Sequence, residues 1–238
     1  MKEDSNNLIF GRNPVKEALR ANKVLKIFVV NNFSDKEINT LLQENKPYIK
    51  VISSSEMDSK CHGVHQGIMA EIKPYEYSDL EEILRRSRKV EVPIIVILDG
   101  INDTHNLGAI LRSCDVFNVT GVLIPKHHQV HLNSTVAKSS AGAINFVPVA
   151  QIGSINQTLQ VLKDNGFWVV STDGSAKLDY GQIKYDFPVA LVIGSEGKGV
   201  SQLVIKNSDY VVKIPQYGHV NSLNASVAAG ILLAKIRN

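Results

Sequence analysis

A continuous apolar run at residues 94–98, Ile-Ile-Val-Ile-Leu, is followed directly by Asp99 and Gly100. A short run without polar alternation, ended by turn residues, is typical of a parallel strand that is buried on both faces of its sheet. Similar runs, separated by helical stretches, recur at residues 121–125, 167–171, 189–194 and 210–215. This alternation over residues 93–238 predicts an α/β domain with an open, mostly parallel sheet and helices on both sides.

The first part of the chain predicts a smaller α/β unit. Asn13 followed by Pro14 is typical of a helix start, since asparagine caps helices and proline is favoured in their first turn. An amphipathic helix is predicted over residues 35–45. Strands are predicted at residues 25–30, 49–52 and 67–70.

A charged stretch at residues 79–89 separates these two parts. A solvated linking helix is the simpler interpretation of such charges, and it is favoured over an arm that binds a partner. The sequence therefore predicts a domain of residues 1–74, a linker of residues 75–92 and a second domain of residues 93–238.

Composition excludes several classes of protein. The chain has 238 residues, of which 44% are hydrophobic and 21% are charged, as is typical of globular proteins. No apolar run approaches the roughly 20 residues that span a bilayer, and the polar residues 1–7 contain no apolar stretch of a secretion signal. Two cysteines, Cys61 and Cys114, are too few for a disulfide framework. We expect a cytoplasmic protein without a membrane partner, and a net charge of +3 permits an anionic partner without requiring one.

Three loops at the predicted strand ends carry the candidate functional residues, because ligands of such sheets bind beyond the carboxyl ends of the strands. The first loop begins a helix at Asn106, and Arg112 follows nearly two turns later, toward a common edge. An arginine in an otherwise apolar helix is costly to bury unpaired. Arg112 therefore either pairs with an acid or binds an anion such as a phosphate.

The second loop, residues 194–199, has the sequence Gly-Ser-Glu-Gly-Lys-Gly. Three glycines after a buried strand permit close approach of the backbone to a ligand. The spacing fits neither the phosphate loop of nucleotide-binding proteins nor the dinucleotide fingerprint, so a nucleotide phosphate site is disfavoured.

The third loop, residues 214–226, joins the last predicted strand to a helix rich in alanine. Taken alone, Ser222, Asn224 and Ser226 are better explained by ordinary helix capping than by a functional role. Ser222 has no partners that would define a hydrolase triad. The histidine segments at 61–65 and 127–131 lack the spacing of a metal site, so no metal is expected.

Together the three loops resemble the three sequence motifs of the SpoU (TrmH-like) family of SPOUT RNA methyltransferases. Residues 106–113 resemble the first motif, residues 191–199 the second and residues 214–228 the third, in the same order and with similar spacing. The segments at residues 9–15 and 65–67 resemble the accessory substrate-binding domain of that family. The resemblance therefore covers nearly the whole chain.

The resemblance implies a C-terminal SPOUT domain with a deep trefoil knot, preceded by a small α/β domain that binds RNA. It also implies a homodimer and the cofactor S-adenosylmethionine, which would contact Gly194, Ile214 and Leu223. Two positions depart from the family pattern, since Thr104 replaces a common proline and Ala225 a common valine. Neither position is a presumed ligand contact.

The activity implied by the resemblance is 2′-O-methylation of a ribose in structured RNA, with a guanosine of 23S rRNA as the expected target. The implied catalytic residues are Asn106, Arg112, Glu196, Ser222 and Asn224. Because Arg112 is effectively always protonated, it is a poor base, and we expect it to bind phosphate and stabilise the developing alkoxide with help from Asn106. The other three would orient Arg112, the cofactor loop and the ribose. One alternative is methylation of transfer RNA. Another is a catalytically inactive protein that binds RNA or assists assembly, and the presence of all five residues argues against it.

Overall fold

The computed structural model describes residues 8–61, 63–127, 129–219 and 222–238. The chain falls into two compact units. The first is formed by Met1–Glu76 and Leu132–Phe146, and the second by Tyr77–His131 and Val147–Asn238. The polar segment 1–7 and the histidines His62 and His128, on which predictions were made, lie outside the described residues.

The described strands are, in chain order, β1 Leu8–Phe10, β2 Val24–Val30, β3 Tyr48–Ile52, β4 Ile68–Ile72, β5 Ile94–Asp99, β6 Gly121–Pro125, β7 Val149–Ile152, β8 Trp168–Thr172, β9 Leu178–Asp179, β10 Val189–Gly194 and β11 Tyr210–Lys213. The described α-helices are α1 Arg12–Arg20, α2 Lys36–Asn45, α3 Ser54–Lys60, α4 Leu80–Ser87, α5 Thr104–Val116, α6 Ser134–Ser139, α7 Ile155–Asp164, α8 Gln202–Lys206 and α9 Ala225–Arg237. Short 3-10 helices lie at Ala143–Asn145 and Tyr180–Gln182.

The first unit is built on a mixed four-stranded sheet with the order β1-β4-β2-β3. Strands β2 and β3 are parallel, and β4 is antiparallel to both β1 and β2. Helix α1 packs against β4, and this face of the sheet buries Ile27, Ile68 and Ala70 completely. The predicted α/β unit is thus present, and its core lies between the sheet and α1.

Helix α1 does not begin at Asn13 as the capping rule predicts. Its N-cap is Gly11, at a φ of 94°, and no side chain caps the helix. Both Pro14 and Val15 are buried inside the first turns. Proline tolerates any position in the first turn because the backbone N–H there has no partner within the helix, so Pro14 marks the first turn but not the first residue.

The second unit contains, within the described residues, a seven-stranded sheet with the order β7-β6-β5-β10-β8-β11-β9. All pairings between these described strands are parallel. Strands β5 and β10 lie side by side at its centre, and the side chains of residues 94–98 are completely buried. The structure therefore confirms the α/β class and the mostly parallel sheet, whereas the trefoil knot stays a prediction.

The charged stretch at 79–89 forms helix α4, which Asp79 caps through a 2.7 Å bond from the backbone N–H of Glu82. One side of this helix is not solvated, because Ile83 and Leu84 are buried in the core of the second unit. The segment predicted as a linker thus contributes to that core. The domain boundaries at residues 74 and 92 stay a prediction for independently folding domains.

The longest described helices, α5 and α9, have 13 residues each. No described helix combines the length and the apolar character that crossing a bilayer requires.

Candidate active site

A cavity of about 310 Å³ opens at the carboxyl ends of strands β8, β10 and β11. This is the edge at which parallel sheets bind ligands. Its wall combines the loop after β10 with the end of β11 and the start of α9. Gly194, Ile214 and Leu223, the residues implied as cofactor contacts, all line this cavity, together with Glu196 and Ser222.

The side chains of Asn106, Glu196 and Asn224 form one hydrogen-bonded cluster. The Asn106 amide donates to Oε1 of Glu196 at 2.7 Å, and the Asn224 amide donates to the same oxygen at 2.5 Å. The Asn224 amide also donates to Oδ1 of Asn106 at 2.8 Å. Because one carboxylate oxygen accepts from both amides, Glu196 fixes the three predicted loops against one another beside the cavity.

Asn224 serves both roles that the sequence leaves open. Its Oδ1 accepts the backbone N–H groups of Ser226 and Val227, at 2.9 and 3.3 Å, which makes it the N-cap of α9. Its Nδ2 is thereby free to face Asn106 and Glu196. The side-chain oxygen of Asn224 therefore caps α9, while its side-chain nitrogen binds Asn106 and Glu196 in the cluster.

The structure does not bring Arg112 to this cluster. Six residues correspond to about 600° of helix rotation, so Arg112 lies about 120° around α5 from Asn106 and about 9 Å further along its axis. Arg112 is exposed, and among the described residues no hydrogen-bond or ion-pair partner of its guanidinium is found. The expected common edge with Asn106 is therefore wrong, and Arg112 lies outside the apolar face of α5, which Leu107, Ile110 and Leu111 form.

Helices α5 and α9 run parallel and are joined at three levels. Asn224 meets Asn106 at their starts, and Gly230 faces Ser113 at mid-length. At the far end, the guanidinium of Arg237 donates to three backbone carbonyls beyond the ends of α5 and α4, at 2.6 to 2.8 Å. Partial burial lowers the pKa of Arg237. These contacts fix the position of α9 along the axis of α5, and thereby the position of Asn224.

Gly194 has a role in the protein backbone itself. A Cβ atom at Gly194 would overlap the backbone of Gly199 and the nitrogen of Val200, because the loop folds back on the end of β10. No atom lies within 4 Å of a Cβ placed on Gly197. The close approach that the sequence predicts is therefore one between two protein segments at Gly194, and only Gly197 and Gly199 border open space.

Two further residues of this region were missed by sequence reasoning. Thr172 ends strand β8, Asp173 follows it, and both line the cavity. The signal was present, since the run at 167–171 was recognised as a strand and every strand end at this edge is a candidate. Asp99, at the end of β5, accepts the backbone N–H of Ser201 at 2.8 Å and anchors the far end of the glycine loop.

Nucleophilic cysteine and metal chemistry find no support among the described residues. Cys114 on α5 is buried, and burial raises the pKa of its thiol. Within residues 8–61, 63–127, 129–219 and 222–238, no group of three or more histidine, cysteine, aspartate or glutamate side chains is placed to hold a metal ion. His131 instead accepts a hydrogen bond from the Gln151 amide at 3.0 Å.

Two family models match the chain. The model of the SpoU rRNA methylase family matches residues 93–234, and the model described as RNA 2′-O ribose methyltransferase substrate binding matches residues 8–78. A Staphylococcus aureus protein (strain MSSA476), which its name places in the TrmH family of tRNA/rRNA methyltransferases, is 42% identical over 234 residues. The alignment covers 96% of this chain and 94% of that protein.

Solved structures share the fold along nearly the whole chain. The SpoU methyltransferase AviRb from Streptomyces viridochromogenes superposes with a TM-score of 0.82 at 22% identity, over 98% of this chain and 89% of its own. An AdoMet-bound rRNA methyltransferase from Sinorhizobium meliloti gives the same TM-score and identity, over 99% and 88%.

The resemblance seen in the three motifs is thus confirmed by the family models and by the Staphylococcus aureus relative. The chain belongs to the SpoU rRNA methylase family and is an RNA 2′-O-ribose methyltransferase.

Proposed function

We propose that this enzyme transfers a methyl group from S-adenosylmethionine to a ribose 2′-hydroxyl of ribosomal RNA, with a guanosine of 23S rRNA as the target. The observation that carries the proposal is Glu196, which lines the cavity and also accepts from Asn106 and Asn224. This one carboxylate links the cofactor loop to the other two family motifs. A cytoplasmic location, where such RNA is made, belongs to the same proposal.

The cavity suits the proposed cofactor. Its volume of about 310 Å³ is at the lower end of the range typical of small-molecule sites. Ile193, Ile214 and Leu223 supply apolar wall for a nucleobase, and Glu196 and Asp173 supply carboxylates that suit a cationic ligand. When bound, S-adenosylmethionine supplies a methyl group already activated on a sulfonium. The AdoMet complexes of the Sinorhizobium meliloti enzyme and of AviRb support this assignment.

The residues of this chain would position the ribose and stabilise charge. The 2′-hydroxyl loses a proton as it reacts, and Arg112 keeps its positive charge, so it suits the developing alkoxide or the adjoining phosphate. The amides of Asn106 and Asn224 are held by Glu196. We therefore assign Glu196 a positioning role, with Ser222 on the cavity wall near the ribose.

In a homodimer, Arg112 of one subunit would reach the cavity of the other subunit, whereas it does not line the cavity of its own chain. Arg112 is exposed and does not line the cavity. Nearby on α5, Val116 is 70% exposed, and Val227 on α9 is 49% exposed. Apolar side chains on two packed helices suit contact with a second copy. We propose that the partner's copy of this arginine reaches the cavity across such an interface.

Mixing two inactive variants tests this arrangement. We expect equal amounts of Arg112→Ala and Leu223→Arg, after subunit exchange, to recover about one quarter of wild-type activity, since half of the dimers would hold one intact site. If each active site instead used the Arg112 of its own chain, mixing the two variants would restore no activity. A 26 kDa monomer with full activity in sedimentation experiments would contradict the dimer itself.

Leu223 tests the cofactor assignment. It is half-buried on the cavity wall, so a charged side chain there would be desolvated or would fill the pocket. We expect Leu223→Arg to weaken S-adenosylmethionine binding by about 100-fold or more in calorimetry, whereas Leu223→Met, of similar volume, stays within about three-fold. Unchanged affinity in Leu223→Arg with an intact fold would place the cofactor elsewhere.

Mapping 2′-O-methyl marks tests the proposed substrate. RNA from a strain that lacks this protein should lose one mark in 23S rRNA, and the purified enzyme should restore it. A mark lost from transfer RNA would favour that substrate instead. Loss of no mark would favour a silent RNA-binding role.

A further inference from the structure

The sheet of the first unit has one face that α1 does not cover. Residues paired across neighbouring strands point to the same face of a sheet. One row of paired residues across this face consists of Leu8, Glu71, Lys26 and Tyr48. The next row consists of Phe10, Met69, Phe28 and Lys50. We call these two rows, with Lys138 beside them, the open face.

Both faces are buried toward the middle of the sheet and exposed along β3. The opposite face buries Ile27, Ile68 and Ala70 completely, whereas its residues Ile49 and Val51 on β3 are 45% and 55% exposed. On the open face, Tyr48 is 65% exposed, and Lys50 is exposed. Helix α3 covers the middle of the second row, where Met57 packs with Phe28 and Met69, which are only 8% and 0% exposed. The accessible part of this face is therefore its β3 edge, with Tyr48 and Lys50, and the exposed Lys138 beside β1.

Two lysines on the open face are held by aromatic rings. Nζ of Lys26 lies 5.0 Å from the ring centre of Phe28 and 5.2 Å from that of Tyr48. Nζ of Lys138 lies 4.7 Å from the ring centre of Phe10. A cation over a ring is fixed in place without being neutralised. Both ammonium groups therefore keep a full charge for an anionic partner.

The lysines of the open face differ from the basic residues of α1 in their ion pairing. Arg12, Lys16 and Arg20 on α1 all form ion pairs with nearby acids. Among the described residues, none of the three lysines of the open face, Lys26, Lys50 and Lys138, has an ion-pair partner. Its strands carry one acid, Glu71, and the neighbouring α3 adds Glu56 and Asp58 against Lys60. Other lysines of this unit, such as Lys36 and Lys46, also lack an ion pair among the described residues, but Lys26, Lys50 and Lys138 lie together on the open face.

Lys138 reaches this face from a distant part of the sequence. It lies on α6, in the segment Leu132–Phe146 that belongs to the first unit although the methylase model covers it. Helix α6 packs against β1. At Gly142, a Cβ atom would overlap the side chain of Glu17 on α1, so this segment fits tightly against the unit. The methylase part of the sequence thus completes the open face.

We propose that the open face binds a single-stranded segment of the RNA substrate, a proposal that rests on the RNA methyltransferase function proposed above. The exposed ring of Tyr48 offers a surface on which a base can stack, and Lys26, Lys50 and Lys138 contact the phosphates. Four strands span about 14 Å, enough for a few nucleotides. Aromatic and basic side chains on an open four-stranded sheet form a general platform for unpaired bases. The surplus of lysine favours RNA over a protein strand as the occupant.

Tyr48 tests the stacking contact. The probe is a short, fluorescein-labelled, single-stranded oligoadenylate, bound to the full chain without cofactor. We expect Tyr48→Ala to bind it about ten-fold more weakly, since stacking of one base is lost, and Tyr48→Phe to bind within about two-fold because the ring remains. Equal thermal midpoints of the variants exclude unfolding as the cause.

The lysines test the phosphate contacts. Replacing Lys26, Lys50 and Lys138 together by methionine keeps their aliphatic chains and removes three charges. We expect the slope of log affinity against log salt concentration to fall by about 2, at about 0.7 for each phosphate contact with a single strand. Lys36→Met, which removes one exposed charge from α2, is the matched control and should leave the slope unchanged.

The outcomes separate this surface from the methylation reaction. Wild-type affinity and slope in both sets of variants would overturn the open face as an RNA surface, even where methyl transfer proceeds. If Tyr48→Ala abolished self-association in sedimentation instead, with wild-type RNA affinity, the face would be a protein contact and the proposal would be wrong. A protein that binds the probe through these residues but methylates no RNA would refute the proposed reaction and leave the surface standing.

Discussion

Replacing Arg112 by alanine is expected to lower the turnover of RNA methylation by about 10²–10³-fold or more, with S-adenosylmethionine affinity within about two-fold of wild type. The structure places this guanidinium on the exposed side of α5, away from the residues that line the cavity. Its loss should therefore remove charge stabilisation without disturbing the pocket. Single-turnover methylation with excess enzyme, together with calorimetry of cofactor binding, measures the two effects separately.

Two control variants sharpen this result. Arg85→Ala removes an exposed arginine from α4 of the same unit and should keep normal turnover. Arg112→Lys keeps the charge but loses the planar fork of donors, so it should recover only part of the rate if the arginine binds a phosphate or alkoxide bidentately. Near-normal turnover in Arg112→Ala would refute the assignment.

The parallel strands were predictable because burial on both faces leaves a continuous apolar run. The bounds of β6 and β10 agree with the predicted runs. By contrast, β1 has three residues and α3 has Met57 as its single apolar side chain, so neither offers a periodic pattern to detect. Strand β9, with two residues at the sheet edge, is too short for the same reason.

The candidate site was predictable to the level of its loops, and its contacts were not. Each of the three motifs contributes one member of the cluster of Asn106, Glu196 and Asn224. Which atoms meet depends on the fold, since Asn106 and Asn224 are brought together by the pairing of α5 with α9. The position of Arg112 relative to the cluster depends on its angle around α5. In our proposal, its position at a cavity also depends on the second subunit of a homodimer. No local sequence pattern encodes either.

The segment Leu132–Phe146 shows the same limit for domain boundaries. In sequence it lies between β6 and β7, so it counts as part of the methylase domain. In the structure, its buried residues Val136 and Ala137 belong to the first unit. The boundaries at residues 74 and 92 thus stay a prediction, and deleting the first 76 residues would expose this apolar segment.

Gly194→Ala is expected to abolish measurable S-adenosylmethionine binding and to lower the thermal midpoint. The added methyl group would overlap the backbone of Gly199 and Val200, and backbone atoms cannot yield as a flexible side chain does. The glycine loop would have to move away from the end of β10, and the cavity wall would move with it. Differential scanning calorimetry and cofactor titration of the same preparation give both quantities.

Variants at two other glycines serve as controls. They separate the effect of contact between two protein segments from the effect of contact with the ligand. Gly153 also follows a strand, β7, and nothing lies within 4 Å of a Cβ placed there, so Gly153→Ala should change stability by no more than about 0.5 kcal/mol. Gly197 borders the cavity with the same open space, so Gly197→Ala should weaken cofactor binding while the midpoint stays near wild type. If Gly194→Ala behaved like Gly197→Ala, losing affinity without losing stability, Gly194 would be needed for ligand approach and the backbone crossing would not constrain it.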